Sequence, residues 1–359
     1  MTEHNKTRSK FLNSKEIAQL AGVSRSTVSR VINNHPNVSE SKREKVLKII
    51  EKYGYIPNSA ARILTGKRSN TLGLFFVIDS SITDYFKEDV HADFMLASIA
   101  EAAAKEGFFT LVNIIHDLKL PSNIKIIKDM FYQRRIDGGI FIGCSNNEKV
   151  IEDLIDEGLT IGVLDYDVGD NGNLPNFVVA NFSEKLGESA VDYLVSLGHK
   201  KILGVHGDLQ RFSGMQRYNS YMRAMRKYDL EIRSEWLLFS KFERLKSKQI
   251  MLEFLNNSDE LPSAIFCAND TIAYGVIDAL KSKGILIPDN ISIIGIDDSS
   301  FSAYINPPLT TFRVDFQKIL STLTQKVIAL INNNLQERKG VVLEFNGQLV
   351  VRNSCIRVN

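Results

Sequence analysis

Residues 15–30, KEIAQLAGVSRSTVSR, predict two short helices joined by a tight turn. Small and branched apolar side chains at Ile17, Ala18 and Leu20 fall on one face of the first helix. Gly22 can adopt the positive φ that a turn between helices requires, and Ser24 is placed to cap the second helix. This pattern is typical of a helix-turn-helix, whose second helix enters a DNA groove.

The first turn of that second helix is polar. Arg25, Ser26 and Thr27 open it, and Ser29 and Arg30 follow. Short hydroxyl donors and arginines at a helix start suit contacts with base edges and phosphates. The alternative is a solvated amphipathic helix pair, but capping, turn and polar composition together favour DNA binding.

Charge is distributed unevenly along the 359 residues, although the formal net charge is only +2. Residues 1–70 carry 14 Lys and Arg against 5 Asp and Glu, which leaves 30 basic and 37 acidic side chains for the rest. A basic front on an acidic body indicates that only the front meets a polyanion. The chain is also long enough to form more than one domain.

The helix-turn-helix continues into a third helix, so residues 1–57 are predicted to form a small all-α DNA-binding domain. Residues 58–70 follow as a hinge helix and linker. The helix within this segment would run for only about two turns. About 12–15 residues are needed for a stable helix in water, so we expect the hinge to fold only when something buries it. Leu64 would then act as a wedge at a minor-groove base step, unless the segment is an ordinary linker.

AGVSRSTVSRVIN, VSESKREKVLKIIEKYGYIPN and AARIL resemble the lactose-repressor/galactose-repressor family of bacterial transcription regulators. The resemblance implies base contacts from three residues of the second helix: Arg25, Ser26 and Arg30. It implies phosphate contacts from four others: Ser24, Thr27, Ser29 and Asn33. In the hinge it implies DNA contacts from Asn58, Ala61 and Leu64. Arginine most often binds guanine, but Arg25 could equally contact a phosphate.

From Thr71 onward, short apolar runs alternate with helical segments, and the scheme repeats once. Such a pattern predicts parallel sheets covered by helices on both faces. We therefore expect an α/β, periplasmic-binding-protein-like body, 71–359, of two parallel-sheet lobes. The N-lobe is predicted at about 71–179 and 310–340, and the C-lobe at about 180–309 and 341–359.

Polar side chains follow several of the predicted strands, where ligands of such sheets bind. Carboxylates, an amide and a guanidinium around one cleft would supply both acceptors and donors to a polyol. Individually, each carboxylate could merely cap the next helix. The resemblance continues through CANDTIAYGVIDAL and IPDNISIIGIDD. It implies effector contacts from six residues: Asp165, Ser213, Arg217, Phe242, Asn269 and Asp297. Asp79, which follows the first predicted strand, is a seventh candidate.

Two departures from the family pattern bear on the identity of the effector. Gly143 stands where some relatives have a sugar-binding side chain, and the stretch from Asp79 to His91 is longer than usual.

Enzymatic and metal chemistry find no support in the sequence. The six histidines lack metal-ligand spacing, and no GxSxG or phosphate-loop motif occurs. We therefore expect no catalytic activity, no metal and no cofactor. Three scattered cysteines, no membrane-spanning run and no secretory signal predict a cytoplasmic protein.

The predicted function is a ligand-responsive, sequence-specific repressor of a carbohydrate-utilisation operon, released by a sugar or sugar-derivative inducer. Corepression by a purine or sugar phosphate is the alternative, and a sugar receptor without DNA activity is a third possibility that leaves the basic front unexplained. The partners expected are an operator duplex, the effector and a second copy of the chain, with no membrane. The C-terminal VVRNSCIRVN lacks leucine heptads, so we expect homodimers rather than tetramers.

Overall fold

The computed structural model describes residues 12–55, 68–78, 92–169, 174–332 and 340–358. The chain divides into two compact units, Met1–Ser69 and Asn70–Asn359, called here the head and the body. Most of the hinge helix predicted over 58–70 lies outside the described residues, as do Asn58, Ala61 and Leu64. The hinge therefore stays a prediction.

The described part of the head contains three helices: α1 (Ser14–Ala21), α2 (Arg25–Ile32) and α3 (Glu40–Tyr53). Their apolar faces meet in one small core made of Ile17, Ala18, Ala21, Val28, Val31 and Val46. Leu20, predicted on the same face as Ile17, lies outside this core and is 47% exposed. The inward stripe of α1 runs through residues 17, 18 and 21, and Leu20 lies beside it.

Local capping fixes where these helices begin and end. Asn13 and Glu16 form a capping box at the start of α1. Gly22 ends α1 with φ of 65°, a value that glycine adopts without strain. The Ser24 hydroxyl accepts a hydrogen bond from the Thr27 backbone N–H at 3.2 Å and so caps α2.

The first lobe of the body is a parallel sheet covered by helices. Its elements are β1 (Thr71–Ile78), α4 (Ala92–Lys105), β2 (Phe109–His116), α5 (Pro121–Tyr132), β3 (Gly138–Ile142), α6 (Lys149–Asp156), β4 (Ile161–Leu164) and β5 (Phe177–Phe182), with α11 (Phe316–Asn332) and β11 (Val341–Phe345) from later in the chain. The strand order is β11-β5-β4-β3-β1-β2, and every pair is parallel.

The second lobe repeats this arrangement. Its elements are α7 (Leu186–Ser196), β6 (Ile202–His206), α8 (Phe212–Lys227), β7 (Leu237–Phe239), α9 (Arg244–Asn257), β8 (Ala264–Cys267), α10 (Asp270–Ser282), β9 (Ser292–Asp297), β10 (Thr310–Arg313) and β12 (Gln348–Val350). The order is β12-β10-β9-β8-β6-β7, parallel except for the antiparallel pair of β12 and β10.

Sheet pairing corrects the predicted lobe boundaries in three places. β5 belongs wholly to the first sheet, so the first crossing falls after Phe182 rather than at 179. β10 was expected in the N-lobe and pairs with β9 of the second sheet, while β11 was expected in the C-lobe and pairs with β5 of the first. An apolar run predicts a strand but not the sheet in which it finds its neighbour.

Candidate functional site

One pocket of the body lies between the lobes, and we call it the interlobe pocket. Residues at the ends of β3, β4 and β5 form one wall, and residues that follow β6, β7 and β8 or end β9 form the other. Six predicted effector residues line it: Asp165, Ser213, Arg217, Phe242, Asn269 and Asp297. The seventh candidate, Asp79, lies outside the described residues.

Asp165, at the end of β4, crosses the cleft to the second lobe. Its Oδ1 accepts from the Ser213 backbone N–H at 2.7 Å, and its Oδ2 accepts from the Ser213 hydroxyl at 2.6 Å. Ser213 lies in the first turn of α8, where exposed N–H groups favour a negative charge. Burial raises the pKa of the Asp165 carboxyl, against the effects of these bonds and of Arg217 and Arg211.

Arg217 lies one turn further along α8 and is only 5% exposed. Its Nη1 donates to the Ala268 carbonyl at 2.6 Å, and its Nη2 donates to Asp297 Oδ1 at 3.1 Å. The guanidinium carbon lies 5.4 Å from the centre of the Phe182 ring. Its Nε is buried and has no hydrogen-bond partner among the described residues. A buried donor of this kind is costly unless something accepts from it.

Asn269 and the residue after it have different roles. Asn269 caps α10, and its side-chain oxygen accepts from the Ile272 backbone N–H at 2.9 Å. Asp270 lies beneath the pocket and accepts hydrogen bonds from Ser299, Ser302 and Thr311. Burial, with the nearby charge of Asp297, raises the pKa of Asp270 to about 7 despite these bonds. Of the two, only Asn269 lines the pocket.

The neighbours Asp297 and Asp298 also diverge. Asp297 lines the pocket and pairs with Arg217. Asp298 accepts from Arg313 Nε at 2.7 Å and from Arg352 Nη2 at 2.6 Å. The two carboxylates therefore do not converge as a catalytic pair would. Within the described ranges, no group of three or more His, Cys, Asp and Glu side chains could hold a metal ion.

In the head, the predicted DNA-contact residues run along α2 from its N-cap, Ser24, to its C-cap, Asn33. Arg25, Ser26, Ser29 and Arg30 are exposed, and Thr27 and Asn33 are half-buried. Besides capping the helix, the Ser24 hydroxyl lies 2.7 Å from that of Ser26 and 2.9 Å from that of Thr27. Asn33 donates to the Ser29 hydroxyl at 3.3 Å. The head thus presents arginines, hydroxyls and an amide along one short helix.

The head and the body each match a known protein family. Residues 14–58 match the description "Bacterial regulatory proteins, lacI family", and residues 191–355 match "Periplasmic binding protein-like domain". The HTH-type transcriptional repressor PurR of Haemophilus influenzae (strain PittEE) is 32% identical over 345 residues, covering 95% of this chain and 97% of that protein. The chain belongs to the LacI family of bacterial regulatory proteins.

A second LacI-family relative is the probable HTH-type transcriptional repressor ExuR of Bacillus subtilis (strain 168), 32% identical over 96% of this chain and 98% of its own length. The crystal structure of the lac repressor dimer bound to operator and the anti-inducer ONPF has a TM-score of 0.79 at 24% identity, over 97% of this chain and 100% of that one. The predicted fold class is confirmed. As a LacI-family member, the protein is a ligand-responsive transcription regulator.

Part of the pocket of this LacI-family protein was not predicted from the sequence. The lining residues not predicted are Met95, Ile142, Leu164, Phe182, Arg211, Lys241, Glu243, Thr271 and Phe316. Leu164 adjoins Asp165, and Lys241 and Glu243 flank Phe242, so proximity to strand ends could have revealed them. Met95 and Phe316 belong to helices, and nothing in the sequence pattern indicated that these helices reach the pocket.

Gly143, one of the two departures from the LacI-family pattern, has a structural reason. It follows β3 with φ of 86°, and a Cβ there would lie 2.5 Å from the carbonyl oxygen of Val77. The Arg211 guanidinium lies beside it, 3.7 Å from that Cβ position. This part of the pocket wall therefore excludes a side chain at residue 143.

Proposed function

We propose that this LacI-family regulator represses a carbohydrate-utilisation operon and is released by a sugar or sugar derivative in the interlobe pocket. The observation that carries the proposal is the convergence of Asp165, Arg217, Asn269 and Asp297 on one pocket beside the Phe242 ring. A sugar offers hydroxyls that both donate and accept, and a ring face that packs on an aromatic side chain.

The buried Nε–H of Arg217, which has no acceptor among the described residues, supports ligand binding in the interlobe pocket. A ligand oxygen within reach would give that buried donor an acceptor while Asp297 holds the other end of the guanidinium. The cross-cleft bonds of Asp165 link the same pocket to the relative position of the lobes. We therefore assign ligand binding to Asp165, Ser213, Arg217, Phe242, Asn269 and Asp297, with Asp79 as a further candidate.

On the DNA side, we assign base contacts to Arg25, Ser26 and Arg30. We assign phosphate contacts to Ser24, Thr27, Ser29 and Asn33, and hinge contacts to Asn58, Ala61 and Leu64. The protein would act in the cytoplasm as a homodimer, because two heads about one helical turn apart read a palindromic operator.

Switching requires the ligand to bind one state more tightly than the other. A nearly complete change of population needs a difference of roughly 5.5 kcal/mol between the two states. Ligand contacts on both sides of the cleft can provide this difference if they change the angle between lobes. The hinge segments of the dimer would then separate and the operator would be released.

A thermal-shift screen of the purified chain tests the ligand class. Sugars, sugar acids, sugar phosphates and purines are each added in large excess, and the unfolding temperature is recorded. A ligand at 100 times its Kd should stabilise the protein by about 2.7 kcal/mol. We expect a shift with one sugar or sugar derivative that is absent in Arg217→Ala. A shift with a purine alone would contradict the carbohydrate assignment.

A further inference from the structure

Arg25 is the first residue of the recognition helix α2, and its side chain is held although it is exposed. Its Nε–H donates to the Ser14 hydroxyl at 2.9 Å. Ser14 is the first residue of α1 and is available for this role because Asn13 caps that helix. The contact therefore joins the starts of two helices, at the end of α2 that meets base edges in a helix-turn-helix.

The use of Nε determines which donors of Arg25 are left. A guanidinium has five N–H groups in one plane. With Nε bound to Ser14, the remaining N–H groups are on Nη1 and Nη2, at the far end of the fork. Two of these are parallel and suit a pair of acceptors in one plane.

Only one base offers such a pair in the major groove. Guanine presents O6 and N7 as adjacent acceptors, whereas adenine presents a donor beside N7. Cytosine presents a donor, and thymine presents one acceptor beside a methyl group. A restrained Arg25 therefore matches guanine and rejects the other bases.

We propose that Ser14 is a positioning residue that holds Arg25 for bidentate contact with one guanine in each operator half-site. The inference rests on the proposed operator binding and adds the base that Arg25 reads. Fixing a long side chain before binding also removes part of the entropy cost of ordering it in the complex.

The test uses the full-length protein and a duplex that the wild type selects from a randomised library. Affinities for this duplex and for its single-position variants are measured by anisotropy for the wild type, Ser14→Ala, Ser14→Thr and the control Ser41→Ala. Ser41 is an exposed serine of α3 with the same side chain. Circular dichroism at the assay temperature verifies that each variant is folded.

We expect one position of each half-site at which the wild type prefers guanine by roughly tenfold or more. Ser14→Ala should lower that preference by about threefold to tenfold and leave the other positions unchanged. Ser14→Thr, which retains the hydroxyl, should keep the preference, and Ser41→Ala should match the wild type.

Other results would overturn the inference. Equal weakening of all duplexes by Ser14→Ala would show that Arg25 contacts a phosphate, as would a salt slope for Arg25→Gln reduced by about 0.9 with base preferences unchanged. If the wild type binds selectively and Ser14→Ala leaves the guanine preference unchanged, Ser14 does not position Arg25, although the proposed function would still stand. Failure of the wild type to select any duplex would remove both.

Discussion

Phe242 reaches the interlobe pocket because the residue it packs on has no side chain. A Cβ on Gly207 would lie 2.1 Å from the Phe242 ring, too close for any real contact. Phe242 itself has φ of 67°, a conformation that non-glycine residues seldom adopt. The aromatic wall of the pocket therefore depends on a glycine and on a strained backbone position.

Gly207→Ala should displace the ring and weaken ligand binding. Overpacking of this kind costs about 1–3 kcal/mol, and if the displaced ring passes that cost to ligand binding, affinity falls roughly fivefold to 150-fold. Calorimetric titration of the ligand found by thermal shift measures the effect. An unchanged Kd in the folded variant would show that Phe242 does not touch the ligand.

His206 is a second residue with an unusual environment. It is fully buried among the rings of Tyr218, Tyr221, Phe239 and Phe266, and neither ring nitrogen has a hydrogen-bond partner among the described residues. Burial lowers the pKa of His206 from its ordinary 6.5 to about 3. The folded state therefore keeps this imidazole neutral at pH values where the unfolded chain protonates it.

This difference predicts a loss of stability in acid. Because the folded pKa is depressed, stability from His206 falls as the pH drops from about 6.5 toward 3. Between pH 7 and pH 4.5 the loss should be about 2–3 kcal/mol. Urea unfolding of His206→Phe should show a correspondingly smaller loss, while the exposed control His116→Gln should behave like the wild type. Parallel pH profiles for all three proteins would contradict the prediction.

At the residue level, the ends of the predicted strands located the pocket because the carboxyl ends of parallel strands meet at one edge of each sheet. The sequence did not show which of two adjacent polar residues would line the pocket. Asn269 lines the pocket and Asp270 lies in a hydrogen-bonded network beneath it, whereas Asp297 lines it and Asp298 holds two arginines. The direction of each side chain depends on the local backbone conformation and on its rotamer, and sequence spacing predicts neither.

Among the elements, the recognition helix α2 is short and depends on its neighbours. Beyond its apolar contacts, Arg43 of α3 donates to the Asn34 side-chain oxygen at 2.7 Å and to the His35 carbonyl at 2.8 Å. Asn34 has φ of 51°, so the loop that ends α2 holds an uncommon conformation. Arg43 thus fixes the loop against α3.

Arg43→Met should loosen this loop and destabilise the head. Hydrogen bonds from a charged group contribute about 1.5–3 kcal/mol each, less where water reaches them, so a total loss of about 1–3 kcal/mol is expected. Urea unfolding of the full chain, followed by amide exchange of head residues, measures it. Lys42→Met removes the same charge from an exposed neighbour and should have little effect; equal effects of both changes would contradict the role of Arg43.

The existence of these elements followed from apolar periodicity, but their partners did not. β10 (TTFR) and β11 (VVLEF) are both short strands near the end of the chain, and each pairs in the lobe opposite to the one expected. Pairing is decided by which sheet edge has unpaired backbone groups within reach, and this depends on the whole fold.

Across the whole body, the two lobes are joined through the pocket as well as by the crossing segments. Asp165 of the first lobe and Ser213 of the second share two hydrogen bonds, and the Asn146 backbone N–H donates to the Gln210 carbonyl at 2.7 Å. A ligand bound in the pocket would lie beside the first pair, because Asp165 and Ser213 both line it. Its binding can therefore change the balance between lobe arrangements.

A double-mutant cycle tests whether Asp165 and Ser213 act together. Asp165→Asn and Ser213→Ala, alone and combined, should give a coupling of about 1–2 kcal/mol in the free energy of unfolding of the body. The combined variant should lose less than the sum of the two single losses. Simple additivity would mean that the cross-cleft bonds contribute nothing to lobe position in solution.

If ligand in the pocket controls DNA binding by the head, the pocket variant Arg217→Ala should lose the ligand response. Anisotropy of the selected duplex is measured with the full-length wild type and with Arg217→Ala across a titration of the stabilising ligand. We expect equal duplex affinity of the two proteins without ligand, and ligand-dependent release of the duplex from the wild type alone. Release from both proteins at the same ligand concentration, or from neither, would contradict this expectation.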